Sequence, residues 1–323
     1  MSDPLPLDAK IFVAGHRGLV GSAIWRQLEQ RGHTRLVGRR SAELDLRDRP
    51  AVNAFFAAER PDCVILAAAK VGGIMANSSY PASFLSDNLQ IQVNVLDAAA
   101  RVAVPRLLFL GSSCIYPKLA PQPISEDSLL TGSLEPTNEA YAIAKIAGVL
   151  HVQALRQQFG LRYISAMPTN LYGPGDNFDP QGSHLLPALI RRFHEAKVCG
   201  RAAEPLWGTG TPRRELLHVD DLARACLVLL ERYDDPAPIN VGTGTDLTIR
   251  ELADLVADVV GYTGRIEQDP SKPDGTPRKV LDVTRIKTLG WQAAIGLREG
   301  IAATYQWYLD TAAPLSVRAA AAR

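Results

Sequence analysis

The chain has 323 residues, 46% apolar and 21% charged, with 35 basic against 34 acidic side chains and a formal net charge of +1. This is an ordinary globular composition with room for one large α/β unit or two domains. It offers no global positive field, so neither nucleic acid nor a membrane surface is expected as a partner. Cys63, Cys114, Cys199 and Cys226 form no C-x-x-C pair, which argues against a zinc site or a disulfide scaffold and suits a reducing cytoplasm. Met1 to Lys10 lacks the apolar core of a signal peptide, and Lys70 interrupts the longest apolar run, around Val64 to Ala76, well short of a membrane span.

In chain order, Lys10 to Gly15 is a short apolar run ending in glycine, the pattern of a buried parallel strand. Leu19 to Arg31 places Val20, Ile24 and Leu28 at helical spacing. A strand at Thr34–Gly38, a helix at Pro50–Arg60 opened by its proline, and a strand at Cys63–Ala68 follow. Pro81–Val102 reads as a long helix, Arg106–Leu110 as a fourth strand, Glu135–Phe159 as containing a helix, and Arg162–Met167 as a further strand. Alternation of this kind predicts an α/β fold, a Rossmann-type doubly wound parallel sheet. Beyond Asn170, Leu171–Ser183 reads as loop, followed by a helix at Pro187–Lys197 and a Pro/Gly-rich stretch through Pro212. An amphipathic helix at Val219–Tyr233, a strand at Ile239–Gly242, a helix at Thr248–Val260 and a turn-rich Gly264–Thr276 complete the series. The expected division is a dinucleotide domain over 1–174 with returning segments at about 217–243. A smaller mixed α/β substrate lobe takes 175–216 and 244–312, and a frayed tail 313–323.

Gly15, Gly18 and Gly21 spell G-x-x-G-x-x-G directly after the first strand and opening a helix. Glycines there permit a tight turn and let backbone N–H groups approach a pyrophosphate at a helix N-terminus. At the end of the second strand an NAD enzyme carries an acidic residue for the ribose. This chain has Arg39 and Arg40, with Arg17 in the glycine loop. Such guanidinium groups suit a 2′-phosphate, hence NADP(H), or else form a solvated surface pair.

Tyr141 and Lys145 stand four apart in a predicted helix and so share a face. The ammonium is expected to lower the phenol's pKa, fitting it to exchange a proton with a carbonyl oxygen. Ser112 follows the fourth strand, where an open sheet places its ligand crevice, and it completes a reductase triad. If that strand stays extended past Leu110, the side chains of Ser112 and Cys114 point the same way. Cys114 is then either a usable base or a small buried core residue. His184, entering a helix from a Gly/Pro-flanked segment, is by itself open to an incidental reading.

Several motifs resemble those of the GDP-L-fucose synthases, within the extended short-chain dehydrogenases/reductases. They are Gly15–Gly21, Ala67–Gly73, Gly111–Lys118, Glu135–Asn138, Tyr141–Gly148, Pro168–Pro174 and Ser271–Lys279, and the similarity runs in register from about Lys10 to about Tyr308. The resemblance implies that GDP-4-keto-6-deoxy-D-mannose is epimerised at C3 and C5 and then reduced at C4 by NADPH, giving GDP-L-fucose. A C4 ketone acidifies the protons at both neighbouring carbons, so one acid/base pair can serve both inversions. The resemblance makes Cys114 and His184 that pair, in either order, with Ser112 and Tyr141 on the C4 oxygen. It extends the cofactor contacts across His16, Leu19 and Val20, then Leu110, Gly111 and Ser113. Pro168, Thr169, Asn170, Leu171 and His184 complete them. For the GDP moiety it points to Arg192, Trp207, Arg214 and Asp274, with Lys272 and Arg278 as lesser candidates. One departure stands out: Ser41 occupies a position where the family pattern has arginine, leaving Arg39 and Arg40 to share the phosphate role. The nearest rival is a nucleotide-sugar 4-epimerase or 4,6-dehydratase on the same scaffold. A homodimer is expected through the Pro81–Val102 and Glu135–Phe159 helices.

Overall fold

In a computed structural model, which describes residues 5–313 apart from 181, 273 and 312, the chain begins as its apolar pattern requires. Strand β1 (Ile11–Ala14) is wholly buried, and helix α1 (Leu19–Gln30) follows after a turn in which Gly15 takes φ +84°. Strand β2 is short, Leu36–Val37. Helix α2 (Arg49–Glu59) starts one residue before Pro50, because the Asp48 side chain caps it by accepting the Ala51 N–H. Strand β3 (Cys63–Leu66), a short helix α3 (Ile74–Ser79) and α4 (Pro81–Arg101) come next, Pro81 taking the first helical position. Strand β4 (Arg106–Leu110), α5 (Glu139–Phe159, stopped by Gly160 at φ +67°) and β5 (Arg162–Pro168) complete the first half.

The second half holds β6 (Asn170–Tyr172), α6 (Leu185–Val198), β7 (Ala203–Trp207), β8 (Arg213–Arg214), β9 (Leu216–His218), α7 (Val219–Arg232) and β10 (Ile239–Val241). After these come β11 (Leu247–Thr248), α8 (Ile249–Val260), β12 (Arg265–Asp269), β13 (Arg278–Lys279), α9 (Thr284–Thr288) and α10 (Leu297–Thr311). Thr248 and Glu251 form a reciprocal capping box at the start of α8.

The main sheet is six-stranded and parallel in the order β10-β5-β4-β3-β1-β2. The chain reverses direction across it between β1 and β3, so the connections leaving those two strands diverge and open a crevice at their C-terminal ends. Helices α1 and α7 pack together as one layer, and α2, α4 and α5 as another. A buried hydrogen bond from Gln92 to the Ala144 carbonyl, 2.6 Å, ties α4 to α5. The buried Arg106 guanidinium ties β4 to the last turn of α7 through the carbonyls of Leu229 and Leu230.

Three sequence expectations are corrected here. The Leu171–Ser183 loop begins inside a strand, since β6 pairs in parallel with β9. The turn-rich segment at Gly264–Thr276 contains β12, which pairs with β7, itself inside the stretch read as Pro/Gly-rich connection. Pro205 and Arg265–Asp269 concealed this pair. Proline is tolerated only where a ladder bond is not needed, and a two-stranded ribbon offers that on its outer side. Helix α6 also begins two residues before Pro187, with His184 as its N-cap residue.

Two hydrophobic cores result. The first surrounds the main sheet and takes in α7, β10 and Leu281 to Trp291. The second joins Tyr172, Phe178, the inner faces of α6 and α8, and Ile301 and Tyr308 of α10. Of the tail expected at 313–323, only Ala313 lies within the described residues. Among the described residues no helix is long and apolar enough to cross a membrane.

Candidate active site

The glycine loop sits in the crevice between β1 and β3. A side chain at Gly21 would place Cβ 2.1 Å from the Gly15 carbonyl oxygen, and one at Gly15 would meet the Ala68 backbone at 2.8 Å. Only glycine fits either place, and the loop's backbone is left bare toward solvent at the start of α1. The His16 ring packs beneath Gly38, with Nδ1 buried and unpartnered. Burial, followed by the Arg17 charge, lowers its pKa. The three arginines differ in their engagements. Arg39 pairs with Glu59 at 2.8 Å, donates to the Gly38 carbonyl and lies over the Phe55 ring. Arg17 and Arg40 are exposed, and among the described residues their guanidinium groups make no hydrogen bond or ion pair.

Strand β4 ends at Leu110. Ser112 is still extended, but residues Ser113–Ile115 turn into a 3-10 helix, so the extended backbone that would point Ser112 and Cys114 the same way does not reach Cys114. Ser112 and Cys114 are nevertheless brought together, because the Ser112 Oγ caps that turn and accepts the Cys114 N–H at 3.2 Å. Gly111 lies against Met167 of β5, where a side chain would overlap the thioether at 2.3 Å. Lys145 is buried in α5, donates to the Leu110 carbonyl at 2.8 Å, and lies 4.9 Å from the Phe109 ring centroid and 5.9 Å from that of Tyr141. Burial brings its ammonium down to about 8. The Tyr141 phenol is raised rather than lowered: desolvation dominates, Cys114 adds to it, and a hydrogen bond with Ser112 opposes both. The expected depression by Lys145 is therefore corrected. Desolvation of the anion outweighs any help from the neighbouring ammonium, which is itself desolvated, and the phenol stays protonated.

Two donors meet the Cys114 sulfur: Asn138 Nδ2 at 3.3 Å and Lys279 Nζ at 3.5 Å. His184 reaches the same region because the turn before it packs on the connection after β3, the Gly73 N–H donating to the Gly182 carbonyl at 3.2 Å. His184 is open by surface area, yet protein surrounds its ring closely enough that desolvation, and then the Lys279 charge, lower its pKa. Thr169 and Asn170, just past β5, both donate to the Glu215 carbonyl, and Pro168 and Leu171 flank them.

The candidates for the nucleotide end lie on the second core. Trp207 closes β7 with 54% of its surface exposed, and the Lys272 ammonium stands 5.8 Å from its ring. Asp274 accepts from the Thr209 N–H at 2.9 Å and from its hydroxyl at 2.7 Å. Arg214, its pKa lowered by burial, donates to the carbonyls of Thr276 and Arg213. Arg192 is turned toward Glu204 at 2.8 Å and the Pro205 carbonyl, and Arg278 pairs with Asp246 at 2.5 Å. Sequence reasoning missed Asn138 and Lys279 as neighbours of Cys114, although both sit inside motifs it singled out. It also missed Glu135, which pairs with Lys118 at 3.0 Å and accepts from the Thr276 hydroxyl at 3.3 Å.

A doubly wound sheet, a bare glycine loop at its reversal point and a Ser-Tyr-Lys group beyond the fourth strand define a dinucleotide-dependent oxidoreductase of the short-chain dehydrogenase type. Residues 11–242 match the NAD dependent epimerase/dehydratase family, and the chain belongs to it, on the branch of the GDP-L-fucose synthases. GDP-L-fucose synthase 1 of Arabidopsis thaliana is 61% identical over 302 residues, covering 94% of each chain. The GDP-L-fucose synthase of Escherichia coli K12 is 58% identical over 310 residues, covering 93% of this chain and 97% of that one. A solved GDP-L-fucose synthetase from Naegleria fowleri bound to NADP superposes with a TM-score of 0.89 at 30% identity, over 96% of this chain and 95% of that one.

Proposed function

We propose that the chain converts GDP-4-keto-6-deoxy-D-mannose to GDP-L-fucose, inverting C3 and C5 and then reducing the C4 ketone with NADPH. The observation that carries this reading is a thiol sharing one crevice with Ser112 and a protonated Tyr141. A plain reductase needs only the hydroxyl pair; a proton-transfer group beside it is what an epimerase adds. The names of the relatives point to the same substrate and product.

The glycine loop fits a dinucleotide, since Cβ atoms at Gly15 and Gly21 would collide with the chain's own backbone and open the tight turn that leads into the start of α1. Bound NADPH would supply the hydride for C4. Arg17 and Arg40, whose guanidinium groups have no partner among the described residues, would hold its 2′-phosphate. Ser112 and Tyr141 would bind the C4 oxygen, sharing negative charge as an enolate forms and later passing a proton to the alkoxide. Lys145 orients that end of α5 through the Leu110 carbonyl. Cys114 and His184 would remove and return the C3 and C5 protons. Trp207 offers a flat face to the base, Asp274 stands beside it, and Arg214 suits the diphosphate. Arg192 would do so while still bound to Glu204. The first core would then be the dinucleotide domain and the second the nucleotide-sugar lobe. Four free thiols are compatible with a cytoplasmic enzyme. A homodimer would form through α4 and α5.

The test is incubation with NADPH and GDP-4-keto-6-deoxy-D-mannose and identification of the product by proton NMR. GDP-L-fucose is expected; a GDP-6-deoxy-D-sugar formed with no inversion would refute the epimerase half. In deuterated water, Cys114→Ser or His184→Asn is expected to slow exchange at C3 and C5 steeply while ketone reduction persists. Wild-type exchange in both variants would remove the pair from the mechanism.

A further inference from the structure

Asn138 stands immediately before α5, where an asparagine ordinarily accepts an N–H of the first turn, yet its side chain caps nothing. The amide is turned the other way. Its Nδ2 donates to the Cys114 sulfur at 3.3 Å, and its Oδ1 is buried without a hydrogen-bond partner among the described residues. Asn77 of α3 repeats the arrangement. It is 7% exposed, its Nδ2 donates to the carbonyls of Gly72 at 2.7 Å and Gly73 at 3.1 Å, and its Oδ1 is likewise buried with no such partner. Both side chains line a cavity of about 300 Å³ between α3 and the starts of α4 and α5, with Pro81 and Pro136 as apolar walls. Asn138 also lines the pocket that holds Cys114, and the Gly73 N–H donates to the Gly182 carbonyl in the turn before His184. The cavity thus adjoins the segments that carry both proposed proton-moving groups.

Buried polar atoms left unpaired are rare in folded chains, and each calls for a partner. Because both Nδ2 ends are taken up, the cavity offers two oriented acceptors beside a helix end whose N–H groups no side chain caps. An anion would suit the N–H groups but would be repelled by the two amide oxygens and by Glu139, which also lines the space. A hydroxyl both donates and accepts, and so suits both. We propose that this cavity receives the hydroxyl-bearing edge of the substrate hexose, at C2 and C3, with Asn138 and Asn77 accepting its O–H groups. The opposite edge of that sugar carries the ring oxygen and the C6 methyl and has no O–H to donate, so the amides distinguish the two. Asn138 is then a specificity-determining residue that meets the sugar at one end and Cys114 at the other. This rests on the reading of the crevice as the site of a GDP-linked keto-hexose.

The test is calorimetric titration of the full chain with GDP, with GDP-L-fucose, and with GDP-L-fucose analogues lacking the C2 or the C3 hydroxyl. The hexose is expected to add affinity over GDP alone. Asn138→Leu, close in shape and without an acceptor, is expected to lower GDP-L-fucose affinity about tenfold and to leave GDP affinity unchanged. Asn138→Asp keeps an acceptor at that position and is expected to retain the wild-type preference for GDP-L-fucose over GDP. In the wild type, removing one of the two hydroxyls should cost about as much as the leucine substitution, and in Asn138→Leu the same removal should cost nothing further. A residue with only a structural role would weaken GDP and GDP-L-fucose alike and show no coupling to a single hydroxyl. The wild-type preference persisting in folded Asn138→Leu, or equal wild-type affinity for GDP and GDP-L-fucose, would overturn the inference. If the leucine variant does not fold, Asn138→Ala carries the same expectation. Formation of GDP-L-fucose with the hydroxyl coupling absent would strike the role of Asn138 alone. Absence of that product with the coupling present would strike the proposed reaction instead.

Discussion

At Tyr141 two effects oppose each other, and magnitude decides between them. A lysine one helical turn away favours phenolate, whereas desolvation favours the phenol; in the free chain desolvation prevails, and Lys145 spends a donor on the Leu110 carbonyl. A protonated phenol is the form that donates to a C4 alkoxide. Tyr141→Phe is accordingly expected to lower the rate of NADPH oxidation by roughly 10²–10⁴-fold, with cofactor affinity kept, as read by stopped-flow absorbance and a fluorescence titration. Near-normal turnover would rule the phenol out. The arginines at the cofactor site allow a second comparison. Arg39 is already engaged with Glu59, which Lys10 also pairs at 3.3 Å, so removing it takes little from a bound phosphate. Arg40→Ala is expected to cost about 1.5–3 kcal/mol of NADP+ binding, the worth of a hydrogen bond to a charged group, with NAD+ binding unchanged. Arg39→Ala should cost less, and calorimetry showing the reverse order would reassign the phosphate contact. The pairing of Tyr141 with Lys145 was legible in the sequence because helical spacing alone puts them on one face. That Cys114 joins Ser112 through a 3-10 turn was not, since the sequence offered no signal for where β4 would stop.

Among the elements, the connection from β6 to α6 is one whose polarity conflicts with its burial. Asp176 lies in it, 7% exposed, with Oδ1 accepting the Asn177 N–H and Oδ2 buried without a hydrogen-bond partner among the described residues. Burial lifts its carboxyl to about 7. Below the unfolded value, about 4, the group is neutral in both states and costs nothing. As pH rises from there to about 7 the folded chain holds a proton the unfolded chain has released, so stability falls. Each pH unit of the displacement is worth about 1.4 kcal/mol. Asp176→Asn is expected to raise the denaturation midpoint at pH 8 and to match the wild type at pH 4, by urea unfolding at both values. A variant no more stable at pH 8 would show that the carboxylate is accommodated as an anion. This segment also approaches α1, since a Cβ added at Gly175 would come to 3.7 Å from the Ser22 hydroxyl and 4.0 Å from Leu19. Other elements were hidden for different reasons. The pairing of β7 with β12 involves a proline and a polar strand, so neither carries a hydrophobic alternation. Helix α10 did carry a signal, Ile301, Thr304 and Tyr308 at helical spacing and fully buried, which a longer scan of the C-terminal third would have found.

For the molecule as a whole, one core surrounds the main sheet beside the glycine loop, and the other lies beneath the Trp207 face. The outer face of α5 adds a feature neither core explains: Ile143 and Leu150, two turns apart, are 44% and 43% exposed. In the proposed homodimer this face would pack against the second copy. Ile143→Glu combined with Leu150→Glu is expected to turn a dimer into a monomer in sedimentation equilibrium, and a wild-type chain that is monomeric at every concentration would sink the proposal. By itself the sequence determined the βα alternation, the glycine loop and the Tyr141–Lys145 pair. Each depends on periodicity or turn chemistry within a few residues, which the order of side chains encodes directly. The tertiary structure alone decided that Lys279 meets Cys114 across 165 positions, that Arg39 is spent on Glu59 while the Arg40 guanidinium has no hydrogen bond or ion pair among the described residues, and that Tyr141 keeps its proton. Those outcomes depend on which distant surfaces pack together and how much water they exclude, quantities that no local pattern of residues contains.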